Sequence, residues 1–453
     1  MEEGLVSVDK FSGGSQAYFL THLHQDHTRG LGAAGGWRHG PLYCSPTTAR
    51  LLPSRFPGID ASLIRPLAPG ASASISLSSP SGQPLSVRVT AIPALHCPGS
   101  LMYLFRGDLG CMLYTGDFRW ELGCDKARRA KQALLDALGG DTIDVLYLDN
   151  TYCHPSLNFP SRPVVAEHMV DIIRAHPDHE VIIGVDTLGK EDLLLHISRA
   201  LQTKIWVWPQ RLLTIHLLGI DENREIFTTQ TSLTRIRAVP RYSVTIDNLE
   251  ALNTVCPTIG IMPSGIPWLW KSSEGKVKSK GRSSLKSIGC LGRGEGLTEM
   301  QYNPLSPPKL FDKDSYALPY SEHACFSELE DFMHTMHPST VIGIVSSSFC
   351  YVNPRHHFRH FCLDSNANDD RTPIKNKCGD NDKFFDRKQE GHAPTEGDND
   401  KLTPKRRRNG SVNPEERKVR IYSSSLYRSR VTMKRRECCG ARIHDTEEHI
   451  GVA

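Results

Sequence analysis

The chain has 453 residues and a mass of 50.5 kDa, room for one large domain or two to three ordinary ones, with 39% hydrophobic and 23% charged residues. That hydrophobic fraction supports a core but leaves a sizeable polar part outside it, and the lack of any run of 18 apolar residues excludes a transmembrane helix. The net charge of +4 is uneven: residues 401–453 hold 14 Lys and Arg against 6 Asp and Glu, leaving 40 against 44 in residues 1–400, so a nucleic-acid site in the body must be a local patch.

The start, Met1-Glu2-Glu3-Gly4, is acidic and lacks the apolar stretch of a secretory signal. None of the 13 cysteines forms a Cys-x-x-Cys pair, so free intracellular thiols are expected.

Residues 1–158 predict short strands separated by turns. Ala17–Leu20 is an apolar run ending in a His-rich turn, and Leu85–Ile92 alternates as a half-buried strand does. Met102–Phe105 and Cys111–Tyr114 flank a tight turn as a hairpin would. Lys126–Leu138 has helical character, and Val145–Leu148 reads as a buried strand. Residues 159–270 predict α/β units: a helix over Val164–Ala175, a strand over Val181–Val185, a helix over Lys190–Leu201 and strands at Ile205–Trp208 and Ile259–Met262. Composition shifts to Ser, Gly, Lys and Pro across 271–315, which predicts a disordered insertion. Order returns over 316–354, at Tyr316–Phe332 and Val341–Val345. Apolar periodicity fades after residue 355, so 355–453 is expected to be a disordered basic tail.

The chemistry concentrates in Thr21-His22-Leu23-His24-Gln25-Asp26-His27, three imidazoles and a carboxylate in six residues directly after an apolar strand. Nitrogen and oxygen donors of this kind suit Zn²⁺. In an extended stretch His22 and His24 point to one side and can chelate one ion, while Asp26 and His27 on the following turn face a second. His96-Cys97-Pro98-Gly99-Ser100 and Thr115-Gly116-Asp117-Phe118-Arg119 each place a potential ligand in a turn just past a strand. Thr187-Leu188-Gly189-Lys190, between a strand and a helix, offers backbone N–H groups and a Lys to an anion, so Thr187 and Lys190 are expected to hold a terminal phosphate.

These motifs, with PLYCSP, LYLDNTYC, LGKEDLL and YSEHACFSELEDF, resemble the metallo-β-lactamase/β-CASP nucleases of the DNA cross-link repair family across residues 1–265 and 316–350. The resemblance implies an α/β fold, a metallo-β-lactamase αββα sandwich with an inserted β-CASP α/β cap. It implies that His22, His24 and His96 bind a first zinc and that Asp117 bridges two ions. Asp26 and His27 bind the second, completed by His323, which spacing alone would never nominate. Asp9 then orients the metal loop, Asp149 supports the site from behind, and Ser321 joins the phosphate donors.

One departure concerns the cap. Relatives show a His where Thr234–Val239 here carries Arg237, which cannot act as an acid near neutral pH but can bind a phosphate. The implied activity is a zinc-dependent 5′→3′ DNA exonuclease acting on 5′-phosphorylated, single-stranded ends, with no membrane partner. An RNA-processing β-CASP nuclease and a catalytically weak repair scaffold are the rival readings. Lys405–Arg408 and Lys434–Arg436 read as nuclear import signals, so the nucleus is the expected compartment.

Overall fold

The computed structural model describes residues 4–11, 14–32, 37, 39–219, 225–264, 310–312, 314–345, 352–363 and 441–443. The insertion's 271–309, the import signals, and Trp268 and Trp270 lie outside the described residues.

Three sheets organise the chain. The first begins with β1 (Gly4–Val8), β2 (Ser15–Phe19) and β3 (Leu42–Cys44). Helix α1 (Pro46–Arg55) follows; the Ser45 hydroxyl accepts from the Thr48 N–H at its start, and Pro46 occupies the first turn, where no N–H is needed. β4 (Ile64–Pro66) completes a parallel run from β1 to β4.

The second sheet is an antiparallel meander of β5 (Ser72–Ser78), β6 (Pro84–Pro93), β7 (Leu101–Gly107) and β8 (Gly110–Tyr114). Helix α2 (Asp125–Leu138) ends on Gly139 in the left-handed conformation, and β9 (Val145–Leu148) pairs parallel to β8.

The third sheet carries the cap: α3 (Arg162–Ala175), β10 (Glu180–Val185), α4 (Glu191–Leu201), β11 (Ile205–Trp206), α5 (Pro209–Leu218), β12 (Phe227–Thr228), β13 (Ile236–Pro240), α6 (Ile246–Asn253), β14 (Thr258–Pro263), β15 (Leu310–Asp312) and β16 (Ser315–Leu318). Its order is β12-β11-β13-β10-β14-β16-β15, parallel except for β15. β10 is apolar almost throughout, as a strand covered on both faces must be. Then α7 (Phe326–Met336) leads to β17 (Thr340–Gly343), which pairs parallel to β9 and so returns to the second sheet. α8 (Pro354–Phe358) follows, and β18 (Ala441–Ile443) pairs antiparallel with β1.

The layers follow from which faces are apolar. Leu5, Val6, Ala17 and Phe19 of the first sheet meet Val87, Val89, Tyr103 and Phe105 of the second in one buried cluster. Leu52 of α1 packs with Leu20 and Leu42 on the outer face of the first sheet. Leu134 and Leu138 of α2 and Leu329, Phe332 and Met333 of α7 cover the second. The αββα arrangement implied by the sequence motifs is therefore present. In the cap, α3, α4 and α5 pack on one face of the third sheet and Leu249 of α6 on the other.

Three boundaries differ from expectation. β15 lies inside the segment read as an insertion, and β16 completes the cap sheet, so the return to the sandwich comes at α7. α8 carries ordered chain past residue 354, because Phe358 and Cys362 are buried against the α7 cluster. The spacing that hides α8 is its five-residue length, too short for a helical period to register.

Candidate metal centre

The candidate ligands sit on turns at strand ends. β2 runs into Leu20 and Thr21 and then the His22–His27 loop; β6 into His96; β8 into Asp117; β9 into Asp149; β16 into the 321–323 turn. Two of these loops touch. Gly116 has φ +53, and a Cβ there would lie 2.7 Å from Cβ of Thr21, so only glycine lets the Asp117 turn approach the His22 loop.

Five imidazoles share one arrangement: one ring nitrogen bound outward, the other facing a common centre. His22 Nδ1 lies 3.0 Å from Thr21 Oγ1, and His24 Nε2 lies 3.1 Å from the Leu188 carbonyl. His96 Nδ1 lies 3.0 Å from the Glu322 carbonyl, His27 Nδ1 is 2.8 Å from Asp9 Oδ2, and His323 Nδ1 is 2.8 Å from Asp149 Oδ2. An outer acceptor fixes the tautomer and leaves the inner nitrogen's lone pair free for a cation.

The inner atoms converge. His24 Nδ1 stands 3.0 Å from His22 Nε2 and 3.1 Å from His96 Nε2. Zinc–nitrogen bonds of 2.0–2.1 Å in a tetrahedron place ligand atoms about 3.3 Å apart, so these three nitrogens are spaced for one small cation. Asp117 Oδ2 lies 3.6, 3.3, 3.7 and 3.9 Å from the inner nitrogens of His22, His27, His96 and His323. That one oxygen is central to both halves of the cluster. His27 Nε2 is buried without a hydrogen-bond partner, 3.9 Å from Asp26 Oδ2. A buried imidazole nitrogen aimed at two carboxylates is a site that fits a cation and is costly without one. The groups His22–His24–His96–Cys97, His22–His27–Asp117 and His96–Asp117–His323 each bring donor atoms within 4.8 Å of one another. Asp26, with a side chain 47% exposed, marks the open side.

Electrostatics agree with this reading. Burial, reinforced by neighbouring imidazoles, holds His22 well below the ordinary histidine range and His96 down at about 4, so both are neutral ligands at pH 7. Burial also opposes charge on His27 and His323. Asp117 and Asp9 nevertheless raise His27, and Asp149 and Asp117 lift His323 to about 9. Asp117, though buried, is held well below the carboxylate range by His27 and His323.

Asp9 lies behind the His22–His27 loop. It adopts φ +52, accepts from the N–H and hydroxyl of Thr21 at 2.8 and 2.7 Å, and holds His27. Asp149 likewise accepts from the Thr151 N–H and hydroxyl while it holds His323.

The four expected phosphate donors are not brought together. Lys190 is buried, and its Nζ lies 3.1 Å from Glu322 Oε2 and 3.5 Å from Asp186 Oδ2. Its N–H donates to Glu322 Oε1 at 2.8 Å, while the Gly189 N–H donates to Glu191 Oε1. The anion site at the start of α4 thus exists, but the chain's own carboxylates fill it. Burial opposes charge on Glu322, yet Lys190 draws its carboxyl down to about 2, so it stays ionised. Arg237 lies mid-strand in β13 and pairs with Glu180 at 2.7 Å, three residues short of the strand end that faces the metal loops. Arg237 therefore does not touch the centre. Ser321 is buried, donates to the His323 carbonyl and accepts from the His323 N–H, which shapes the turn. Thr187 alone of the four is exposed, just past β10. Of the tryptophans weighed as stacking surfaces, Trp206 donates to the Thr229 carbonyl and Trp208 packs on the cap core.

Glu322 and Arg119 were not singled out by sequence. Arg119 is fully buried, donates to Glu328 Oε1 at 2.8 and 3.1 Å and to the Ser321 carbonyl at 2.8 Å, and so ties the Asp117 turn to α7 and the His323 turn. Both lie inside motifs already noticed, but nothing in a linear spacing pairs residues 209 positions apart.

Comparison with known proteins agrees with the fold. Residues 221–349 match the model of the DNA repair metallo-beta-lactamase domain. The chain is 37% identical over 352 residues to the 5' exonuclease Apollo of Gallus gallus, covering 77% of this chain and 63% of that protein. It is 34% identical over 334 residues to the Danio rerio protein of the same name, covering 74% and 49%. It is 33% identical over 340 residues to the DNA cross-link repair protein SNM1 of Arabidopsis thaliana, covering 74% and 62%. The chain thus spans between about half and just under two thirds of the length of these relatives. Among the described residues no helix is long and apolar enough to cross a membrane.

Proposed function

The chain belongs to the DNA repair metallo-β-lactamase family, and on that premise we propose that it is a zinc-dependent nuclease that hydrolyses DNA phosphodiester bonds from the 5′ end. Its setting is the nucleus, in repair of interstrand cross-links or processing of chromosome ends. The observation that carries the reading is the convergence of four outward-tethered imidazoles on Asp117 Oδ2, with a fifth, His24, beside two of them. The relatives' printed names, 5' exonuclease and DNA cross-link repair protein, support direction and pathway.

His22, His24 and His96 would hold one ion, Asp26, His27 and His323 a second, with Asp117 shared. Bound there, divalent cations acidify water and offset the charge of a phosphodiester. The protein's own residues do the rest. The outer hydrogen bonds of the five rings hold the donors in place, so no reorganisation is needed when charge develops. Neutral His22 and His96 present lone pairs without first losing a proton. Asp26 and His323 keep part of their side chains exposed and would meet the incoming strand.

The test is a metal count on purified protein beside digestion of end-labelled, 5′-phosphorylated single-stranded DNA, with a chelator control and RNA of the same sequence. We expect about two zinc ions per chain, chelator-sensitive loss of nucleotides from the 5′ end, and loss of digestion in Asp26→Asn/His27→Ala. Unchanged digestion by that double variant would falsify the two-ion assignment, and preference for RNA would move the substrate.

A further inference from the structure

The nearest expected cations are committed elsewhere, Lys190 to Glu322 and Arg237 to Glu180. Arg241 stands differently. Pro240 pairs with Val185, so Arg241 follows β13 beside Asp186, at the C-terminal edge of the parallel cap sheet. Open α/β sheets take their ligands at that edge. Its contact with Asp186 is loose, Nε to Oδ1 at 3.7 Å, between side chains 50% and 38% exposed. Asp186 Oδ2 is in turn 3.5 Å from Lys190 Nζ, which is 3.1 Å from Glu322 Oε2, and the Glu322 carbonyl holds His96 Nδ1 at 3.0 Å. A half-exposed cation therefore stands one carboxylate away from the Lys190–Glu322 pair that borders the metal centre.

Tyr242, the next residue, is 79% exposed, the most exposed of the large hydrophobic side chains among the described residues. It lies in a short 3₁₀ turn, Arg241–Ser243, which follows β13 directly. An exposed aromatic ring and a half-exposed guanidinium on consecutive residues, in a turn that borders the candidate metal centre, offer the two elements of single-strand recognition: a cation for the backbone and a π-face for a base.

We propose that Arg241 and Tyr242 form a strand-positioning subsite, in which Arg241 binds a backbone phosphate flanking the bond to be cut and Tyr242 stacks on the adjoining base of a single-stranded nucleic acid. The subsite rests on the nuclease reading of the metal centre. It places a specificity element in the cap, where the expected phosphate pocket is filled by Glu322. Stacking tolerates any base, so the subsite selects for unpaired strand rather than for sequence.

The experiment measures binding of a fluorescently labelled, 5′-phosphorylated single-stranded oligonucleotide to the full chain in chelator, where nothing is cut, across a salt series. Tyr242→Ala should weaken binding about tenfold, with Tyr242→Phe within about twofold of the parent. Arg241→Ala should lower the slope of log affinity against log salt by about 0.7, the share of one phosphate on a single strand, with Arg241→Lys retaining it. In the metal-loaded protein the same losses should fall on KM. Both side chains are exposed, so melting temperature should hold and any loss reads as lost contact. If both alanine variants bind and digest as the parent does, the subsite does not exist. If Tyr242→Phe loses as much as Tyr242→Ala, the hydroxyl matters and stacking is wrong. If the parent itself neither binds nor cuts DNA, the nuclease reading falls and takes the subsite with it.

Discussion

Asp9 shows how much one side chain behind the ligands controls. It accepts three hydrogen bonds while holding a backbone conformation with positive φ. Asp tolerates that conformation better than most residues, but its removal leaves the Thr21 donors and His27 Nδ1 buried without partners. Asp9→Ala should cost about 2–4 kcal/mol in urea-induced unfolding and weaken metal binding roughly 10–100-fold; Asp9→Asn, which preserves shape, should lose less of both. Equal affinity in Asp9→Ala and the parent would remove Asp9 from ring orientation. His323 makes a second residue-scale prediction. In metal-free protein its raised pKa of about 9, against an ordinary 6.5, means that it carries a proton at neutral pH. Its ion pairs then stabilise the fold fully below about pH 6.5 and lose that contribution as pH rises through about 9. A cation must displace that proton, so metal affinity should climb between those values. Calorimetry in buffers of different ionisation heat should register proton release on metal uptake at pH 7; zero release would place His323 outside the ligand set.

At the scale of elements, Arg119 joins the β8 turn to α7. Its pairing with Glu328 is buried at both ends, so Arg119→Ala strands a carboxylate and should cost about 3–5 kcal/mol. Arg119→Met with Glu328→Leu should recover most of that loss, because well-packed apolar groups often replace a buried pair without penalty. Chemical denaturation of the two variants checks both statements. The elements also show what a linear reading can see. Val145–Leu148 and Lys126–Leu138 were legible because buried strands and amphipathic helices print their periods on the chain. His22, His24, Asp26 and His27 were legible because they crowd one turn. Glu322, which quenches Lys190, was not: its 132-residue separation leaves no spacing to read, and a helix start with a lysine looks the same whether or not a carboxylate already occupies it. The Arg237 expectation failed for a related reason, since register in a parallel sheet decides which end of a strand a residue serves, and register is not written in composition.

At the scale of the whole molecule, the candidate centre draws donors from both layers of the sandwich and from the cap side, residues 22 to 323. No partial fold assembles it, so a cation binds the native chain far better than the unfolded one. Stripping metal should therefore lower the melting temperature, and the shift should scale with the logarithm of free zinc, about 2.7 kcal/mol at a hundredfold excess over Kd. A melting temperature indifferent to chelator would mean that the ions contribute nothing to the native state.

The bond from His24 to the Leu188 carbonyl ties the grip on a cation to the posture of the cap. Leu188 belongs to the loop between β10 and α4, whereas His24 belongs to the sandwich. A displacement of that loop would take away the outer acceptor of the His24 ring and leave the imidazole free to turn. What steadies this stretch of the cap thereby steadies one member of the ligand cluster in the other lobe.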